Sequence, residues 1–156
     1  VAAGFVVVLT VAAAAQSQTA TLNANLGGLA RLSLSSNNIS FADADPDSVP
    51  FVPASPGPIT ITAKARATQG ATVTLTVQAG GDLRSGVNTI PAGHITWTAS
   101  GAGFVPGTLS STTPQVVASW TASGVHTGTQ SFLFRNLWTY PTGTYTLTVT
   151  YTLSSP

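Results

Sequence analysis

The chain has 156 residues and no Cys or Met, so disulfides and thiolate metal sites are excluded. Charged residues make up only 6%, against about 25% in ordinary soluble domains. Five Lys and Arg against four Asp, with no Glu, supply no basic footprint for nucleic acid. They also leave little repulsion to keep copies of the chain apart.

Val1 to Ala15, VAAGFVVVLTVAAAA, is apolar and uncharged. It is shorter than the roughly 20 residues a membrane span needs. It reads as the apolar region of a secretory signal peptide, with Ala13-Ala14-Ala15 as a small-residue cleavage pattern and Gln16 opening the mature chain. The alternative is a hydrophobic segment that is retained. Residues 16–156 read as a single domain, secreted to the extracellular space or cell surface, with no stable membrane span after processing.

Strict alternation of apolar and polar residues then recurs, and helical periodicity does not. Leu22, Ala24 and Leu26 suggest a first strand. Leu32 and Leu34 suggest a second, with Ile39 and Phe41 following. The Pro-rich run Asp45 to Pro58 reads as a connector between sheets. Ile59, Ile61, Ala63 and Ala65 alternate with Thr60, Thr62, Lys64 and Arg66, and Val73, Leu75, Val77 and Ala79 with Thr74, Thr76 and Gln78. Successive strand side chains point to opposite faces, so each run has one buried and one wet face, as in antiparallel sheets. Ile95 and Trp97, then Val116, Ala118 and Trp120, then Phe132 and Phe134 mark further strands. The expected fold is an all-β, antiparallel two-sheet sandwich of about eight or nine strands, Ig-like or jelly-roll-like.

The last strand alternates Tyr145, Leu147, Val149, Tyr151 and Leu153 with threonines. It contains no charge, Gly or Pro, the residues that natural edge strands use for protection. It should therefore be paired on both sides, either at the centre of its own sheet or by a strand from a neighbouring subunit. Thr19, Thr21, Leu22, Ala24 and Leu26 form the candidate donor, being alternating and uncharged.

Asn136 to Pro156, NLWTYPTGTYTLTVTYTLSSP, resembles the end of many bacterial secreted β-domains, where a Pro-x-Gly-x-Tyr turn feeds a final strand. It is similar to the C-terminal strand of the WxL family of cell-wall-associated proteins. Ile39-Ser40-Phe41, Val73 to Val77, and Gly86 to Pro91 before Ile95-Thr96-Trp97 fit the same scheme. The two Trp-x-Leu signatures fall at Val73 to Leu75 and Tyr151 to Leu153, with Val73 and Tyr151 in place of the tryptophans. The resemblance implies a secreted, surface-associated β-sandwich attached non-covalently to a wall.

Candidate chemistry is sparse. The carboxylates are Asp43, Asp45, Asp47 and Asp82, and the imidazoles are His94 and His126. No Gly-x-Ser-x-Gly elbow occurs, and the histidines read as solvent-exposed, so no enzyme is expected. Asp43, Asp45 and Asp47, at alternate positions, are a candidate calcium loop, the only cofactor suggested. The competing reading is an acidic turn whose side chains cap free N–H groups. Trp138 and Tyr140 are a candidate carbohydrate-stacking pair, whereas Trp97 and Trp120 read as core. The leading expectation is a non-enzymatic extracellular structural protein, a pilus-like filament subunit or a wall-associated domain, assembling by β-strand addition. A carbohydrate-binding or adhesion module is the alternative. The expected partners are other copies of the chain or cell-wall polysaccharide.

Overall fold

A computed structural model describes residues 18–156, so the expected leader, Val1 to Ala15, lies outside the described residues. The fold is all-β, with twelve antiparallel strands. They are β1 (Leu29–Leu34), β2 (Ser40–Phe41), β3 (Phe51–Ser55), β4 (Ile59–Arg66), β5 (Thr72–Ala79), β6 (Leu83–Ser85), β7 (Asn88–Ile90), β8 (Ile95–Ser100), β9 (Gly107–Thr108), β10 (Gln115–Thr121), β11 (Gly124–Arg135) and β12 (Val149–Ser154). Among the described residues the only helical turn is a single 3-10 turn at Ala92–His94.

The surplus over eight or nine strands comes from interruption. β3 and β4 run along the same edge of β11, β3 against Leu133 to Arg135 and β4 against Gly124 to Gln130. Pro56-Gly57-Pro58 separates them, because proline cannot donate to a ladder. β2 and β1 lie in turn along β3 and β4. β8 pairs the other edge of β11 and carries β9. The second sheet is β10-β5-β12, and β6-β7 is a separate hairpin. The Asp45 to Pro58 stretch is thus not wholly a connector, since Phe51–Ser55 is strand.

The alternating runs place their aliphatic residues inside. Ile59, Ile61, Ala63 and Ala65 of β4 meet Val73, Leu75, Val77 and Ala79 of β5 in one core, with Trp97, Val117, Trp120 and Phe132. The intervening threonines are exposed or half-buried. A bulge between Val116 and Ala118 modifies the β10 pattern. Val116 is turned outward, while Val117 and Ala118 are both buried. Simple alternation had joined Val116 to Ala118, and the extra residue of a bulge shifts that parity.

Both ends of the described chain differ from expectation. Residues 18–28 form no strand and are exposed throughout, with Leu22 at 92% and Leu26 at 71%. The first strand begins only after Gly27-Gly28. β12 pairs β5 and nothing else, so it is an edge strand and not a central one.

Candidate functional site

The open edge of β12 follows from its pairing. Thr146 exchanges both main-chain hydrogen bonds with Arg84, at 3.0 Å each, and the Thr148 carbonyl accepts from the Gly80 N–H at 2.8 Å. Main-chain groups alternate sides along an antiparallel strand. Those of Leu147, Val149, Tyr151 and Leu153 therefore point away from β5, along an edge with no strand partner among the described residues. The side chains of the same residues, with Tyr145, face the interior and are half-buried.

The other edge of this sheet is covered. The Val105 N–H donates to the Val117 carbonyl at 2.9 Å, and the Ser119 N–H to the Gly103 carbonyl at 3.0 Å, so the loop before β9 seals β10. β12 has no such cover. Across the interior from it lies β1, itself the edge of the larger sheet. The residues after β12 bond the end of β4, where the Ser155 hydroxyl donates to the Arg66 carbonyl at 3.2 Å and the Thr68 N–H to the Pro156 carbonyl at 3.4 Å. Leu32 and Leu34 of β1 and Val149, Tyr151 and Leu153 of β12 flank this side, all partly exposed although they pack against the core. The candidate donor residues Thr19, Thr21, Leu22, Ala24 and Leu26 are exposed and unpaired, and the structure does not bring them to β12 within one chain.

Tyr151 also anchors β12 to the larger sheet. Its hydroxyl donates to Oε1 of the fully buried Gln130 at 2.5 Å, while Gln130 Nε2 has no partner. Burial pushes the Tyr151 phenol well above its ordinary value of 10.0. Nothing in the sequence marked Gln130 as interior, since glutamine is mostly a surface residue. Its parity with Phe132 was the available signal.

The other candidate residues separate. Asp45 Oδ1 accepts from the Asp47 N–H at 2.9 Å, an Asx turn, and Asp47 Oδ1 accepts from Trp138 Nε1 at 3.0 Å. Among the described residues no three His, Cys, Asp or Glu side chains are grouped so as to hold a metal, Asp43, Asp45 and Asp47 included. The Asp45 and Asp47 carboxylates bond a backbone and an indole donor, respectively. Asp82 accepts from the Ala92 N–H at 3.0 Å.

Trp138 and Tyr140 do not share a face. Trp138 is exposed, whereas Tyr140 packs on Phe134 at 5.8 Å between ring centres and bonds through its hydroxyl to His94 Nδ1. Burial raises the Tyr140 phenol, and the charge of Arg135 partly counters it. Phe41 on Phe134, at 5.6 Å, completes the aromatic group that closes this end of the interior. His94 and His126 are half-buried, not solvent-exposed, and His126 stacks on Trp120 at 4.3 Å.

No protein-family model matches the chain, and no curated protein matches it. No helix among the described residues is long and apolar enough to cross a membrane.

Proposed function

We propose that the protein is a non-enzymatic extracellular structural subunit, a pilus-like filament component or a wall-associated domain, that assembles by accepting a strand from another copy along β12. The observation that carries this reading is the uncovered edge of β12, where Val149, Tyr151 and Leu153, with Leu147 just before them, turn their main-chain groups outward on a run without charge, Gly or Pro. An isolated soluble domain blunts such an edge. Here a second copy supplies the cover. Each hydrogen bond gained contributes about 0.5–1.5 kcal/mol net, and apolar side chains on the incoming strand add about 25 cal/mol per Å² removed from water.

Thr19–Leu26 is the donor this reading favours. It is uncharged, alternates Leu22, Ala24 and Leu26 with polar residues, and pairs with no strand among the described residues. A return over its own edge is disfavoured by direction. The arm enters β1 at Leu29, opposite Arg66, and Arg66 sits beside Ser155 at the end of β12. An arm folded back along β12 in its own chain runs parallel to it, and parallel pairing is slightly weaker per residue. An arm from another copy is free to lie antiparallel.

Secretion and surface location go with the apolar Val1 to Ala15 segment and the low charge, and wall association with the WxL-like tail. The test is Leu22→Asp with Leu26→Asp in the full chain, examined by electron microscopy and sedimentation. Filaments or oligomers from the unaltered chain, and monomers from the variant, are expected. Unchanged assembly by the variant contradicts the donor assignment, and a chain that stays monomeric at every concentration contradicts the function.

A further inference from the structure

A second surface lies away from β12, on the outer face of the larger sheet. Phe51 of β3 stands opposite Arg135 of β11, and Phe134 opposite Ile95 of β8. His94, in the 3-10 turn just before β8, lines the same groove as Phe51 and Arg135. This groove, of about 390 Å³, is also lined by Pro50, Thr96 and Leu137, with Gly93 and Asn136. That volume falls at the small end of the range of ligand sites, roughly 300–1,000 Å³.

Three features give the groove a chemistry. Its lining is mainly apolar, and Phe51 is 52% exposed, an aromatic ring left on a sheet surface. Aromatic faces of this kind receive the C–H faces of sugar rings. Arg135 is exposed at the end of β11. Three of the chain's four carboxylates already accept N–H groups elsewhere, Asp45 from Asp47, Asp47 from Trp138 and Asp82 from Ala92. The guanidinium is left facing the groove with its fork of donors, which fits a planar carboxylate in bidentate fashion. His94 uses Nδ1 on Tyr140, leaving Nε2 as its second ring nitrogen for a hydroxyl.

We infer that this groove binds a saccharide carrying a carboxylate, with a sugar ring on Phe51 and the carboxylate on Arg135. The site is separate from the assembly edge, so binding and assembly are independent in this account. Tetragalacturonate and its neutral methyl ester are the probes, titrated calorimetrically into the full chain. The acid form is expected to bind about tenfold more tightly than the ester. Arg135→Gln removes that preference, Phe51→Ala weakens both forms, and Arg31→Gln, the same charge change on β1, alters neither. No binding of the acid form, equal binding of the ester, or a loss with Arg31→Gln as large as with Arg135→Gln overturns the inference. Assembly of the Arg135→Gln variant stays as in the unaltered chain, so failure here leaves the strand-addition reading intact.

Discussion

Gln130 and Tyr151 tie the two sheets together through one hydrogen bond in the interior. Removing one partner leaves the other unsatisfied, and an orphaned buried polar group costs about 1–3 kcal/mol. Tyr151→Phe is therefore expected to lower stability by that amount in denaturant titration. Gln130→Leu with Tyr151→Phe, which replaces both ends by apolar groups, is expected to recover most of it. The same phenol gives a pH dependence. Its folded value lies above its ordinary 10.0, so the folded state holds this proton more tightly than the unfolded chain. The associated stability is complete below pH 10 and is lost as the pH rises above it. Tyr140 is shifted in the same direction. Thermal melts should show a fall above about pH 10 that becomes shallower in Tyr151→Phe.

Among the elements, the covered and uncovered edges of the β10-β5-β12 sheet differ through a glycine. Gly103 has φ of 81°, and a Cβ there would stand 2.6 Å from the Ser119 carbonyl oxygen. Only glycine lets this loop lie against β10. Gly103→Ala is expected to cost about 1–3 kcal/mol, measured by denaturant midpoint, because both the conformation and the approach are blocked. β4 and β5 were readable from alternation because each has one buried and one wet face with no interruption. The β10 bulge was not readable, since one inserted residue in QVVASW leaves composition unchanged while reversing parity. Leu22, Ala24 and Leu26 carry a strand pattern without a strand partner among the described residues, so alternation alone puts the first strand too early. For β12 the sequence leaves two readings open, a central strand or one paired by a neighbouring subunit, and the structure removes the central one. Of the candidate surfaces, β12 and the arm are legible as alternating uncharged runs, whereas the groove lined by Phe51, Arg135 and His94 depends on three segments far apart in the chain.

For the molecule as a whole, a charge-poor sequence, an uncovered sheet edge and an exposed apolar arm are the features on which the proposed assembly rests. Val149→Pro sharpens this. It deletes an N–H that points away from β5, leaving the internal ladder intact, and proline is tolerated on edges. Assembly should fall while the fold, monitored by circular dichroism, persists. The central claim is tested most directly by hydrogen exchange followed amide by amide, comparing dilute with assembled protein. The amides of Leu147, Val149, Tyr151 and Leu153 should exchange freely in the dilute protein and become protected on assembly, together with alternate amides of Thr19–Leu26. Oligomers in which those four amides still exchange as fast as in the monomer would contradict the account.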